Sequence, residues 1–415
     1  MSLAKLRITE DWAVVVLGFT IIFLATLGMQ IPIPDYKWSN SGALQPLFTA
    51  TNSLSMLYQF VFVYMIVIIG SIITGKPVKH QLLGFPIVFV LTIVALLLAG
   101  NAFMNELGLE AVIFSLLIGL IVGNLFKLPQ WFKDSLNAEL LVKIGLVLLG
   151  TSVIFSDILK AGSLGLVQSL IVVLSVWYFA FWLCRKLKVD EELTMMISSA
   201  VSICGVSAAI ATAGAIKGDS KKLSYVVSMV LITAIPMMIG MPYLARLFGF
   251  SEEMTGAWLG GSIDTTGAVV ASGSLVGERA LEISTIVKFS QNVLLGVAAL
   301  AISIYWTYRG TPKGGHVEKP GLGVIWERFP KFVLGFLAAS LLFSFVLDAA
   351  TVNQVKAGIK NIQGLWFALA FTSIGLETNF KDLLAGNNAK PFWAFLIAQS
   401  FNVLVTLAVA WWLFG

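Results

Sequence analysis

The chain has 415 residues, of which 58% are hydrophobic and only 12% charged, with a formal net charge of +5 and a mean hydropathy of +0.90. A soluble globular chain carries about 25% charged residues, so this one cannot clothe itself in a water-facing surface, and a soluble fold is excluded. The positive balance is that of loop lysines and arginines beside anionic lipid; no basic patch of the kind that binds nucleic acid stands out.

A helix crosses the hydrocarbon with ~20 largely apolar residues. Such segments run at 12–31, 54–74, 83–100, 108–126, 138–158, 163–184, 193–216, 223–248, 253–276, 282–308, 331–349, 361–379 and 391–414. Barrel strands would alternate apolar and polar residues, and stretches such as Val14 to Leu27 do not. The predicted class is an all-α, polytopic membrane protein. The first apolar run lacks a convincing cleavage site. The longest polar connection, Arg309 to Lys331, reads as a loop, so residues 1–415 form a single transmembrane domain with no soluble one.

Lys5 and Arg7, Lys76 and Lys79, Lys127 and Lys133, and then Arg185, Lys186 and Lys188 follow a positive-inside alternation. It predicts a multi-pass protein of the bacterial inner membrane with its N-terminus in the cytoplasm. The alternation breaks at Lys217, Lys221 and Lys222, which fall outside if 193–216 crosses fully. If 193–216 and 253–276 are broken or re-entrant, those lysines and the 309–331 loop stay inside. The sequence therefore predicts about eleven full spans, two broken or re-entrant elements and an external C-terminus. Gly150 to Leu159 is echoed by Gly375 to Leu384, with Gly, Phe, Asp and Leu at matching offsets. Such echoes arise by duplication, and transporter halves are often inverted.

Three stretches could carry chemistry. In Ser198 to Ala209, small residues and hydroxyls replace the Leu and Ile of a lipid-facing helix. Ser202, Cys204, Gly205 and Ser207 could meet a substrate where the backbone unwinds and a new helix aims its N–H groups at an anion; the alternative is tight helix packing. In Gly260 to Ala268, Asp264 lies mid-segment, where a carboxylate costs ~3 kcal/mol and faces a partner or a cavity. With Ser262, Thr265 and Thr266 it offers oxygens suited to Na⁺, or a site for H⁺; it could equally cap a half-helix beginning at Thr265. In Thr285 to Asn292, Lys288 falls in the outer third of its segment beside Gln291 and Asn292, as an anion gate or as a lysine snorkelling to the headgroups. Glu377, with Thr378 and Asn379, either pairs with a cation or ends its helix.

Other chemistries lack their residues. The two histidines, His80 and His316, fall in loops, and no P-loop lysine motif or Gly-x-Ser-x-Gly elbow is present. An enzyme is therefore not expected. Cys184 and Cys204 lie in separate apolar segments and suggest no disulfide framework.

At these residues the chain resembles the YeiH-type family of bacterial membrane proteins, described as sulfate exporters. The resemblance covers most of residues 105–414. It rests on Lys143 to Gly150, on Ser202-Ile203-Cys204-Gly205-Val206-Ser207-Ala208, on Val269 to Gly273, on Val287-Lys288 and on Leu334-Gly335-Phe336-Leu337. It implies an inverted-repeat transporter related to bile-acid/sodium symporters and cation–proton antiporters, with broken helices crossing near the midplane. The chain departs from the family pattern in the second glycine-rich segment, where Ile263 to Ala268 holds neither the usual histidine nor the usual glutamine. A family arginine after the lysine is also replaced, by Gln291 or a neighbour.

The sequence thus predicts a secondary transporter of a small anion (sulfate, sulfite, or an organic sulfonate or carboxylate) coupled to H⁺ or Na⁺. Substrate contacts fall to Ser202, Cys204, Gly205, Ser207, Ser262, Lys288 and Asn292, and the coupling ion to Asp264, Thr265, Thr266 and Glu377. A cation–proton antiporter is the alternative, and a membrane receptor or scaffold the reading from another class. No cofactor is expected beyond the coupling ion. The expected partners are the anion and the bilayer, with a homodimer as the assembly considered.

Overall fold

The computed structural model describes residues 8–29, 32–40, 42, 45–106, 111–309, 323–378 and 389–415. Lys5, Arg7, most of the 309–331 loop, and Asn379 to Leu384 of the second echo lie outside the described residues. Helices of ten residues or more run in chain order as α1 (Glu10–Thr26), α2 (Ala50–Thr74), α3 (Val78–Ala99), α4 (Ala111–Leu125), α5 (Ala138–Leu149), α6 (Phe155–Lys186), α7 (Glu191–Ser202), α8 (Val206–Ile216), α9 (Ser220–Leu247), α10 (Glu252–Ser262), α11 (Thr266–Val276), α12 (Glu278–Arg309), α13 (Phe332–Leu341), α14 (Ala349–Glu377) and α15 (Ala389–Phe414). Among the described residues the only β pairing is an isolated bridge between Trp38 and Asn101. The protein is all-α.

Among the described residues, six helices are long and apolar enough to cross a membrane: α2, α3, α6, α9, and the stretches Glu278–Trp306 and Lys390–Phe414. Helices α1, α4, α5 and α13 have 17, 15, 12 and 10 residues. The predicted span 138–158 is two elements. Helix α5 stops at Leu149, Gly150 packs against the Phe336 carbonyl, and α6 begins at Phe155. Hydropathy averages over this break because the turn residues between the helices include Val153 and Ile154.

The chain divides into two compact units, which the hydropathy pattern does not separate. The first comprises Met1–Phe155 and Lys331–Asn379. Its core is the pairing of α4 with α14, where Gly119 and Gly375 approach backbone atoms of the facing helix too closely for any side chain. At one end Lys143 ties α1 to α5, bonding Asp11 at 2.8 Å and Glu139 at 2.7 Å.

The second unit comprises Ser156–Pro330 and Phe380–Gly415. It holds the long helices α6, α9, α12 and α15 and two helical hairpins, α7–α8 and α10–α11. Three of the four hairpin arms start where the sequence supplies a side-chain cap, and α8 starts at Gly205 without one. Asp190 accepts from the backbone N–H groups of Glu192 and Leu193, Ser251 from Met254, and Thr265 from Ala268.

Both hairpins return to the end they start from. In the first, the Asp219 N–H donates to Glu192 at 3.1 Å and Lys222 bonds Asp190 at 2.7 Å, so the residues after α8 touch those before α7. Burial is the largest single influence on the Asp190 carboxyl and raises it, but its bonds to Lys222 and to the backbone together outweigh this and hold it below the usual range. In the second hairpin, the Ala280 N–H donates to Glu252 and Arg279 bonds Glu253 at 2.9 Å. Helix α9 joins the two hairpins and its 28 residues extend about 42 Å. The hairpins are therefore inserted from opposite ends of the unit, one basic and one acidic. The two segments that the sequence predicts to be broken or re-entrant are these two hairpins.

The hairpin geometry predicts a labelling result. In a background with Cys184 and Cys204 replaced, Lys188→Cys and Ser220→Cys should react with a membrane-impermeant thiol reagent from the same, cytoplasmic, side. Labelling of Ser220→Cys from outside in intact cells would contradict the re-entrant path of α7–α8.

Candidate functional site

The tips of the two hairpins, Ile203-Cys204-Gly205 and Ile263-Asp264-Thr265, meet inside the second unit. Gly205 has φ 55°, and a β-carbon there would lie 2.6 Å from Val230 and 2.9 Å from the Asp264 β-carbon. Only glycine combines that backbone conformation with so close an approach. The cluster of small residues in 198–209 therefore lets one tip touch the other.

The C-terminal ends of α7 and α10 are sealed together by three side chains, each spanning both hairpins. The Lys288 ammonium donates to the Ile203 carbonyl at 2.9 Å, the Ile263 carbonyl at 2.8 Å and Gln291 Oε1 at 2.7 Å. Gln291 Nε2 donates to Ser202 at 3.0 Å and Gly261 at 3.3 Å. Asn402 Nδ2 donates to Val201 at 3.0 Å and Ser262 at 3.2 Å. Gln399 adds a bond to the Ser262 carbonyl at 2.8 Å, and Thr406 holds Asn402 by donating to its Oδ1 at 2.9 Å. These carbonyls are the ones a helix end leaves unpaired, and a cation among them offsets the negative end of each dipole.

Lys288 is 1% exposed and its ammonium is held by three protein oxygens, so it does not snorkel to the headgroups. Helix α12 begins at Glu278, beside the start of α10. Lys288 lies ten residues along it, about 15 Å, nearly the reach of an 11-residue hairpin arm.

The N-terminal ends of α8 and α11 are the open side of the site. Ser207 is exposed, and Thr265, Thr266 and Gly267 are half-buried. Thr265 caps α11, while Asn292 Nδ2 donates to Thr266 Oγ1 at 3.3 Å. Asp264 is 2% exposed and Asn292 6%, and Asp264 Oδ2, Asn292 Oδ1 and Ser262 Oγ have no hydrogen-bond partner. Free amide N–H groups of two helix starts, a serine, two threonines and an asparagine suit an anion. The carboxylate and amide oxygens suit H⁺ or Na⁺.

The structure thus gathers Ser202, Cys204, Gly205, Ser207, Ser262, Asp264, Thr265, Thr266, Lys288 and Asn292 around one crossing. Three of them are not presented as expected. Cys204 is 6% exposed, so Ser207 and not the thiol forms the open face. The Ser202 hydroxyl is turned back onto the Ser198 carbonyl at 2.7 Å. The donors of Lys288 are spent on protein oxygens. Glu377 belongs to the first unit, where its Oε1 accepts from the Ala138 N–H at 3.3 Å at the start of α5. Gln399 and Asn402 were missed by sequence reasoning; the signal was two amide side chains inside the apolar segment 391–414.

Residues 83–394 match the family described as conserved hypothetical protein 698. The chain belongs to that family. Among its relatives, a UPF0324 membrane protein of Rhodopirellula baltica is 37% identical over 390 residues, 91% of this chain and 70% of the relative. One from Nitratidesulfovibrio vulgaris is 38% identical over 379 residues, 88% of this chain and 65% of the relative. The chain therefore spans roughly two thirds of the length of these relatives. One from Nitrosomonas europaea is 28% identical over 469 residues, covering 97% of this chain and 95% of its own. No solved structure matches. The YeiH-type resemblance is to this same family. The relatives are named membrane proteins, this chain is a multi-pass membrane protein, and the region matched contains both hairpins and Lys288.

Proposed function

We propose that this UPF0324 protein is a secondary active transporter of a small anion across the bacterial cell membrane, coupled to H⁺ or Na⁺, and not an enzyme. The observation that carries the reading is the asymmetry at the hairpin tips. Two helix C-termini are sealed by Lys288, Gln291 and Asn402, while two N-termini are left open at Ser207 and at Thr265 to Gly267. Hairpins inserted from opposite ends would let such a site face either side of the membrane in turn. The basic end, with Lys186, Lys188, Lys217, Lys221 and Lys222, is assigned to the cytoplasm.

A cation–proton antiporter is the second reading, favoured by the buried Asp264 with its unpartnered Oδ2. Uptake into proteoliposomes with a panel of labelled anions, under Na⁺ and pH gradients imposed separately, separates the two. Gradient-driven accumulation of an anion supports the first. Na⁺–H⁺ exchange with no anion flux supports the second.

Ser207→Leu supplies a local check. The substitution places an apolar side chain at an exposed position over the α8 N-terminus, so membrane insertion and melting temperature should stay near the wild type. Anion uptake should fall at least tenfold. Normal uptake would return this segment to a packing role.

A further inference from the structure

The buried charges around the hairpin tips can be counted. A helix carries roughly +0.5 of an elementary charge at its N-terminus and −0.5 at its C-terminus. The C-termini of α7 and α10 together hold roughly −1, and the Lys288 ammonium is bonded to both, at Ile203 and Ile263. That pair of dipoles is balanced without any ligand. The N-termini of α8 and α11 together hold roughly +1. The charge nearest them is Asp264, against Gly205 on one side and preceding the Thr265 cap on the other.

Among the described residues, the other charges lie away from the tips: Arg328, on the short helix Gly323–Arg328, meets α8 at Gly214, nine residues beyond Gly205. The charged residues of α6 are Asp157, Lys160, Arg185 and Lys186, and those of α9 are Lys221, Lys222 and Arg246, all toward helix ends. Helix α12 adds Glu278, Arg279, Glu282 and Arg309, and α15 adds Lys390, again away from the tips. Helices α8 and α11 carry none. From the hairpin tips themselves, the Cys204 thiol is the one further titratable group, and the amides facing the tips are Gln291, Asn292, Gln399 and Asn402.

Without ligand, an ionised Asp264 neutralises the two N-termini. One H⁺ or Na⁺ on Asp264 removes that negative charge and leaves roughly +1 from the helix dipoles unmatched. One negative charge on the substrate restores the balance. A second would be buried without a partner, which a low-dielectric site strongly disfavours. Asp264 Oδ2 and Asn292 Oδ1 are both buried, unpartnered acceptors, the atoms a cation would meet.

We propose that the site takes a singly charged anion of the sulfonate or monocarboxylate class together with one coupling cation, and rejects a dianion such as sulfate. This rests on the anion-transport reading above and narrows it. It also makes the loaded site electrically neutral relative to the empty one, so transport should be indifferent to membrane potential.

Methanesulfonate and sulfate have nearly the same size and shape and differ by one charge, which makes them the probes. The full chain, purified in detergent, is melted at matched ionic strength in rising concentrations of each, with Ser207→Leu as the control for binding away from the tips. Methanesulfonate should raise the melting temperature at a concentration at least tenfold below that needed for sulfate, and the control should lose the shift. In proteoliposomes, methanesulfonate uptake should not change when a potassium diffusion potential is imposed. Sulfate acting at an equal or lower concentration, with the shift lost in the control, would overturn the single-charge inference and leave anion transport standing. No shift and no uptake with either anion would overturn both.

Discussion

Replacing Lys288 with Met should abolish transport and destabilise the protein more than any other single change at the hairpin tips. The methionine fills much the same volume, so packing is nearly kept and the loss is polar. It strands the Ile203 and Ile263 carbonyls and Gln291 Oε1, which now accept from the ammonium at 2.7–2.9 Å. A buried acceptor left unpaired costs about 1–3 kcal/mol, so three of them cost roughly 3–6 kcal/mol even after partial relaxation. The two helix C-termini also lose the cation that faces them. Thermal melting of the purified variant measures this. A melting temperature equal to the wild type would contradict the role of Lys288 as the tie between hairpins. Asn402→Leu strands the Val201 carbonyl and the Thr406 hydroxyl, while Gln399 still bonds the Ser262 carbonyl. It should fall between Lys288→Met and the wild type.

Asp264→Asn should have the opposite profile, with the fold kept and gradient-driven transport lost. Asparagine is the same size, keeps one carbonyl oxygen and does not disturb the Thr265 cap, which is the residue that bonds the Ala268 N–H. The sequence left open whether Asp264 itself caps α11. With that role taken by Thr265, the unpartnered Oδ2 of the carboxylate is left for the coupling ion. The variant cannot bind or release a proton and is a poorer ligand for Na⁺, so accumulation driven by either gradient should drop to the leak level. Facilitated exchange of the anion down its own gradient should persist. Full gradient-sensitive accumulation by Asp264→Asn would remove the residue from coupling.

The membrane class and the two hairpins were legible because they leave one-dimensional signals. Composition excludes water as the surrounding solvent. Lys217, Lys221 and Lys222 violate the charge alternation unless 193–216 turns back, and glycine and hydroxyl residues stand where lipid-facing helices carry Leu and Ile. The inward turn of Lys288 was not legible, because a lysine about two turns into an apolar segment can equally snorkel outward. The shared role of Lys288, Gln291 and Asn402 was hidden for a different reason. Each bonds backbone carbonyls far away in the chain, and a carbonyl is the same in every residue, so the sequence holds no mark of the partner. The division into two units likewise follows from contacts between distant segments, and local hydropathy does not encode it.

The central claim is that a small anion binds at the open N-termini of α8 and α11. Its most direct test is protection of Ser207→Cys, in a background where Cys184 and Cys204 are replaced, from a small charged thiol reagent in proteoliposomes. A transported anion should slow the labelling of this position severalfold in proportion to its occupancy, while labelling of Ser220→Cys at the basic end is unchanged. Labelling of Ser207→Cys at the same rate with and without saturating anion would contradict the site.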